Sequence, residues 1–340
     1  MGGAENQLVV LVREQIALGH EVTIIFLKGR EELESTFNEI GASIFSDCAN
    51  KNPIWQIVVL SRLFRRTSHD SVIHAHLPRA ELLCALAFPK KRFVVSRHNM
   101  EPFFPSAPAM ISKYLSRLVV CRAKKVIAIS KSVAEYLQDS GELGSSKIPS
   151  VVHYGYYPNL QTSPKKQVGN LVGTVSRLVP QKDLGTLIMA INLIRLQGID
   201  LKLEIYGEGP EKGLLEKKVS DLSLRDAVRF MGKNSEIPKV IQNFDIFVLS
   251  SKYEGFGLVL LEAMANCVPI VSSNSQAAVE VLGVDFPNYF PVGDSEQLSK
   301  KILQVLYESR IQTIDYQRER LNNFSPKEMT FKIMKLYMQA

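Results

Sequence analysis

At 340 residues, with 46% hydrophobic and 22% charged side chains, the chain exceeds what one hydrophobic core usually serves, so two domains are expected. The composition is that of a soluble globular protein, and no apolar run approaches the roughly 20 residues a bilayer-spanning helix needs. Net charge is +7, and residues 1–165 carry most of it, with 20 basic against 14 acidic side chains. A basic half suits a phosphate-rich partner: nucleic acid, an anionic membrane or a phosphorylated acceptor.

Met1 runs directly into GGAENQ, which reads as the absence of a signal peptide. The four cysteines, Cys48, Cys84, Cys121 and Cys267, are isolated and form no CxxC. They read as structural thiols in a reducing cytoplasm rather than as zinc ligands or disulfides.

In chain order, residues 2–20 read as a glycine turn followed by a helix. Leu8, Leu11, Val12 and Ile16 share one face, and Gly19 caps the end. A glycine turn of this kind usually follows a strand, and here only Met1 precedes it, so a first strand is expected to be missing. EVTIIFL (21–27), SVIHAH (71–76), RFVVSRH (92–98) and KKVIAIS (124–130) read as buried parallel strands. Amphipathic stretches lie between them at 53–66 and 110–122. The polar, proline-bearing QTSPKKQVGN (161–170) reads as a linker. Strand patterns then resume at 170–177, 201–207, 227–232, 245–250 and 268–273, with helical patterns between. The tail 324–339 is amphipathic. The fold class expected is α/β, with two Rossmann-like doubly wound domains facing across a cleft. The domains are 1–165 and 166–323, followed by a C-terminal helix, 324–340. Ligands of such sheets bind at the carboxyl ends of the strands, which makes that cleft the natural site.

Three segments carry candidate chemistry. In GTVSRLVPQKDLGTL (173–187), Arg177 and Lys182 stand at the exit of a buried strand. There they either grip a diphosphate, as fork and point charge, or lie on a solvated loop. In LEIYGEGPEKG (203–213) the glycines imitate a dinucleotide fingerprint, but they follow the second strand of their domain and lack an acidic ribose partner, which argues against NAD(P). In KYEGFGLVLLEAMA (252–265), Gly255 and Gly257 allow close backbone approach. A helix starting there aims the amides of Phe256, Gly257, Leu258 and Val259 at an anion. Glu262 sits one turn into a buried helix and needs partners: a core cation, or a ligand diol. Glu254, in the preceding loop, suits sugar hydroxyls. In the first half, His98 stands at one strand exit, and His74 and His76 at another. His98 suits hydrogen bonding or proton transfer. A metal at His74 and His76 lacks an evident third ligand.

Together these pieces resemble the retaining glycosyltransferases of family 4, which have the two-domain GT-B fold. The resemblance spans nearly the whole chain: GGAE (2–5), HAH (74–76), SRH (96–98), AIS (128–130), RLVPQKD (177–183), YGEGP (206–210), VRFMG (228–232) and, most specifically, EGFGLVLLE (254–262). It implies that Arg177 and Lys182 hold the donor diphosphate and stabilise the departing nucleotide without a metal. It further implies that Glu262 binds the ribose, Glu254 lies at the donor sugar near its anomeric carbon, and His98 lies near the reacting centre. Gly2 and Gly3 match a flexible loop beside the diphosphate, the backbone of Gly255 to Val259 holds phosphate, and Gly207 joins the donor site. The tail helix crosses back to the first domain. The sequence departs from the family at the absent first strand, which puts activity in question, and at SNSQAAVE (273–280), where a glycine pair before Glu280 is missing.

The expected function is transfer of a hexosyl group from a UDP- or GDP-linked sugar to a saccharide or lipid-linked acceptor, in cell-surface polysaccharide or lipopolysaccharide synthesis. No cofactor is expected beyond the nucleotide sugar, and no nucleic-acid partner. The alternatives are a catalytically impaired nucleotide-sugar-binding subunit and an epimerase of the same fold. Lys113, Arg117 and Arg122 beside Ile111, Leu115 and Leu118 either rest the first domain on the inner face of the cell membrane or form a solvated basic face.

Overall fold

A computed structural model describes residues 3–28, 31–66, 68, 70–89, 92–144, 147–157 and 169–339. Gly2 and most of the expected linker, 161–168, lie outside the described residues. In chain order the elements are α1 (Gly3–Ala17), β1 (Thr23–Ile25), α2 (Glu31–Glu39), β2 (Ser43–Phe45), α3 (Pro53–Phe64), β3 (Ile73–His76), α4 (Pro78–Ala87), β4 (Phe93–Arg97), α5 (Ala109–Arg122), β5 (Lys125–Ala128), α6 (Lys131–Asp139) and β6 (Ser150–Val151). There follow β7 (Leu171–Val175), a 3-10 turn (Pro180–Lys182), α7 (Leu184–Leu196), β8 (Lys202–Tyr206), α8 (Lys212–Asp221), β9 (Val228–Gly232), α9 (Ile237–Ile241), β10 (Ile246–Leu249), α10 (Leu258–Ala265), β11 (Ile270–Ser273), α11 (Gln276–Leu282), β12 (Tyr289–Phe290), α12 (Ser295–Tyr307), α13 (Arg310–Leu321) and α14 (Pro326–Met338).

The chain divides into two compact units. One comprises Met1–Gly155 with Phe324–Ala340, the other Tyr156–Asn323. Within the first, β3-β4-β5-β6 form a parallel sheet, and β1-β2 form a separate parallel pair. Helix α1 serves both. Leu11 packs with Val94 and Ile127 of the larger sheet, with Val152 just after β6, and with Met329 and Ile333 of α14. Val12, its neighbour on the helix, packs with Ile24, Phe37 and Ala42 beside the smaller one. Gly19 takes φ +86°, and the Gly19 and His20 amides return to the last turn of α1, a glycine C-cap in the position the sequence indicates.

The second unit is a six-stranded parallel sheet in the order β12-β11-β10-β7-β8-β9. The order reverses between β7 and β10, the strands from whose ends the 176–183 and 250–257 loops leave, so it is a doubly wound sheet. Strand β10 is buried on both faces, which is why IFVL reads as a continuous apolar run. Helix α7 seals the core with Leu187, Ile188, Ile191 and Ile194, none of them exposed. At Gly173 on β7 the ring of Phe244 occupies the place of a side chain, 2.2 Å from where a Cβ would stand.

Candidate functional site

In the second unit the 3-10 turn after β7 is stitched to the loop after β10. Gln181 Nε2 donates to the Tyr253 carbonyl at 2.9 Å, and the Lys252 amide to the Gln181 carbonyl at 2.8 Å. Ser250 Oγ donates to the Lys182 carbonyl at 2.8 Å. These bonds fix the two chemical side chains. Lys182 Nζ lies 2.5 Å from Glu254 Oε1, with side-chain exposures of 13% and 8%, and Ser251 Oγ donates to the same oxygen at 2.6 Å. Ser251 is held in turn by Ser273 Oγ, which donates to its carbonyl. Two residues 72 apart in sequence thus form one buried, charge-assisted pair. The serines behind it, Ser250, Ser251 and Ser273, escaped the sequence reading, because only the contact reveals them.

Arg177 is exposed at the same loop. Its backbone is set by the glycines of the GEG turn. Segment 176–178 runs against 206–211, with the Ser176 amide bonded to the Tyr206 carbonyl and the Leu178 amide to the Glu208 carbonyl. A Cβ on Gly207, whose φ is +130°, would stand 1.9 Å from the Ser176 carbonyl oxygen, and one on Gly209 2.2 Å from that of Leu178. These two glycines allow one chain segment to press on another. Gly213, in α8, has open space beside it.

Gly257 enters α10 at φ +90°, and no side chain caps the helix. Phe256 and Gly257 are buried; Gly255, Leu258 and Val259 are partly exposed. The first-turn amides of α10 are therefore presented by a glycine in the left-handed region rather than satisfied by a capping side chain. One turn further in, burial pushes the Glu262 carboxyl up to about 7. Burial and then the Glu262 charge push the Tyr156 phenol up. Glu280, flagged from sequence, lies in α11.

The first unit holds a second cluster. His98 Nδ1 is 2.5 Å from the Tyr154 hydroxyl, and its Nε2 is 3.1 Å from His76 Nδ1. His74 reaches Tyr337 Oη at 2.6 Å and Ser96 Oγ at 2.8 Å. Burial first, then neighbouring positive groups, hold His74 and His98 well below the ordinary imidazole range; burial lowers His76 to about 4. His98 is therefore a neutral, hydrogen-bonded imidazole. The ring nitrogens of His74 are taken by hydroxyl groups, and no group of three or more His, Cys, Asp or Glu among the described residues is arranged for a metal. Next to His98, Arg97 Nε lies 2.7 Å from Glu81 and its Nη1 3.1 Å from Glu142, with the Phe103 ring 4.3 Å away. Burial pushes Glu81 up to about 7, against the pull of Arg97. Gly3, expected in a loop, is the first residue of α1.

The basic residues expected on a membrane face of α5 have intramolecular partners. Arg117 Nε donates to the Gly141 carbonyl at 2.7 Å, and Arg122 Nη2 to that of Phe88 at 2.8 Å. The Lys113 ammonium lies against Gly141, and Leu115 and Leu118 are half-buried. No helix among the described residues is long and apolar enough to cross a membrane.

A doubly wound unit with a basic loop and a glycine-opened helix at its switch point belongs to the nucleotide-binding class of α/β proteins. Comparison with known proteins gives the family. The profile of Glycosyltransferase Family 4 matches residues 1–155, and that of Glycosyl transferases group 1 matches residues 159–326. The chain belongs to family 4 of the glycosyltransferases, has the GT-B fold and is a glycosyltransferase.

It is 26% identical over 282 residues to a phosphatidyl-myo-inositol mannosyltransferase of Propionibacterium freudenreichii, covering 79% of this chain and 70% of that protein. With the lipopolysaccharide core biosynthesis glycosyltransferase LpsE of Rhizobium meliloti it shares 27% identity over 336 residues, 92% of this chain and 88% of the other. The crystal structure of Anabaena Alr3699/HepE in complex with UDP-glucose superposes with a TM-score of 0.82 at 19% identity, covering 100% of this chain and 97% of that one.

Proposed function

We propose that the enzyme transfers a hexosyl group from a UDP-sugar to a saccharide or lipid-linked saccharide acceptor, with retention at the anomeric carbon. The observation that carries the reading is the buried Lys182–Glu254 pair in the loop before α10: one cation and one carboxylate, locked side by side ahead of a helix start that no side chain caps. In this reading Lys182 and Arg177 take the donor diphosphate, and the first turn of α10 adds the amides of Leu258 and Val259. Glu254 accepts hydrogen bonds from the sugar hydroxyls, and Glu262 accepts them from the ribose diol, which compensates its burial. His98, neutral and oriented by Tyr154, hydrogen-bonds the donor sugar.

The bond from the anomeric carbon to the diphosphate oxygen breaks as the acceptor oxygen bonds to the same face. The acceptor proton passes to the departing phosphate oxygen, and the fixed charges stabilise that oxygen as it gains negative charge. The choice of UDP is supported by the HepE structures in complex with UDP and with UDP-glucose. A role in surface-glycan assembly is supported by the names of the bacterial relatives.

The test is thermal-shift titration with UDP and GDP, each with and without EDTA, on the wild type and Arg177→Ala. The expected result is stabilisation by UDP that is indifferent to EDTA and lost in the variant. Stabilisation by neither nucleotide would overturn the reading.

A further inference from the structure

The segment that carries His98 is pinned at both ends by one buried cluster. Arg97 closes β4, and His98 is the next residue. Arg97 Nη1 donates to Glu142 Oε2 at 3.1 Å, and further along the chain the Phe103 amide donates to Glu142 Oε1 at 3.2 Å. The Phe103 ring then lies over the same guanidinium. Residues 98–102 therefore run between two points held by a single carboxylate. Glu142 has a fixed seat of its own. It follows the left-handed Gly141 (φ +68°) after α6, and its amide returns to the Leu137 carbonyl at 3.0 Å. From α5, Ser116 Oγ donates to its Oε2 at 2.7 Å.

A second carboxylate, Glu81 of α4, meets the same guanidinium. Its Oε2 lies 2.7 Å from Arg97 Nε, out of line for a hydrogen bond, and neither Glu81 oxygen has a hydrogen-bond partner among the described residues. Glu142, by contrast, accepts from three donors. All three charged side chains are buried. One guanidinium balances one carboxylate, so a second like charge in the same buried place favours keeping a proton there. The carboxyl without hydrogen bonds is the one that keeps it. In line with this, burial raises Glu81 to about 7, against the pull of Arg97 and with the push of Glu142. On its own helix Glu81 faces the Cys84 thiol, which burial and then the Glu81 charge push up to about 12.

We propose that Glu81, Arg97 and Glu142 are positioning residues for His98, and that the proton held on Glu81 sets how firmly they hold it. Tyr154 and His76 orient the imidazole of His98; this cluster fixes the backbone that carries it. With Glu81 neutral, the guanidinium belongs to Glu142, and segment 98–102 is anchored at both ends. When Glu81 ionises, two carboxylates compete for one guanidinium. Arg97 is drawn toward Glu81, the anchor on Glu142 loosens, and His98 moves with it. The inference rests on the reading that His98 meets the donor sugar, and makes that contact depend on an acid of another helix.

Two measurements on the whole protein test it. In NMR spectra the backbone amide of Phe103 should move with pH through an inflection at about 7. Glu81→Gln, of the same shape and uncharged, should abolish that inflection. Calorimetric titration with UDP-glucose and with UDP then gives the affinity contributed by the sugar. Glu262 also titrates at about 7, but it acts on both ligands through the ribose and cancels in the difference. The sugar's contribution should fall on the order of 10-fold from below to above that pH in the wild type and stay constant in Glu81→Gln. No inflection at Phe103, or one that survives in Glu81→Gln, would overturn the proposal. So would a sugar contribution that His98→Ala removes but that follows pH alike in the wild type and Glu81→Gln; the donor reading would then stand without it. A sugar contribution that His98→Ala leaves unchanged would overturn the donor reading, and the proposal with it.

Discussion

Replacing Glu262 by glutamine should change how the stability of the second unit depends on pH. The carboxyl is raised from 4.5 to about 7 by burial. One pH unit corresponds to about 1.36 kcal/mol, so ionising this group in the ligand-free native state costs roughly 2–3 kcal/mol, the lower figure allowing for the water that still reaches it. Between those two pH values the native state keeps a proton that the unfolded chain has released. Stability therefore falls as pH rises from 4.5 to about 7 and then levels off. Glu262→Gln removes this slope. From about pH 4.5 to pH 8 the variant should gain roughly 2–3 kcal/mol relative to wild type, a relative rise in melting temperature of about 4–12 °C for a unit of this size. Calorimetric melts of both proteins at both pH values measure it. An offset identical at the two pH values would refute the reasoning. With ligand the sign reverses: if the ionised carboxylate accepts hydrogen bonds from the ribose, UDP binding below about pH 7 releases a proton, and Glu262→Ala weakens it by about 10–100-fold. Titration calorimetry in buffers of different ionisation enthalpy reads both effects.

Lys182→Met should cost about 3–5 kcal/mol in chemical denaturation by leaving Glu254 buried and uncompensated. Lys182→Met/Glu254→Gln should recover most of that stability while transfer activity stays lost; a double variant as unstable as the single one would contradict the pairing. Within one glycine motif the outcomes should diverge. Gly207→Ala forces backbone apart and should cost at least about 3 kcal/mol and abolish nucleotide binding, whereas Gly213→Ala, in open helix, should be neutral or stabilise by up to about 1 kcal/mol; thermal melts compare them. The depressed imidazoles of His74, His76 and His98 should contribute stability to the first unit above about pH 6.5, the unfolded value, that is lost as pH falls below it. Their NMR resonances should show no titration at 6.5, and an inflection there would refute the assignment.

The strands FVVSR, LVGTV and IFVL were legible because parallel strands buried on both faces are short, apolar and continuous, and KLEIY because its buried and half-exposed residues alternate; these four and IHAH stand where the sequence places them. The pairs SV and YF and the triplet SIF were not, because two or three residues make no period. The candidate residues were legible by type, and their partners were not. Nothing near Lys182 announces Glu254, since the loop that joins them forms only when β7 and β10 lie side by side. Arg97 was visible only as the neighbour of His98; its carboxylates stand at 81 and 142. The GEG glycines looked like a ligand cradle, but what presses on them is the backbone of Ser176 to Leu178. The helix at 53–66 was readable as amphipathic, but which of its apolar residues face solvent depends on Gln56 being drawn inward.

The return of α14 to the first unit has a consequence for synthesis. The strands and helices up to Gly155 emerge from the ribosome before the second unit, yet their packing includes Met329 and Ile333, and His74 finds one of its two hydroxyl partners at Tyr337. Domains generally fold as units during synthesis, the N-terminal one first. In this chain the first-made unit stays unfinished while all of the second is translated, so the order of completion is the reverse of the order of birth, and the nascent first unit carries an exposed apolar seam beside Leu11 throughout that interval.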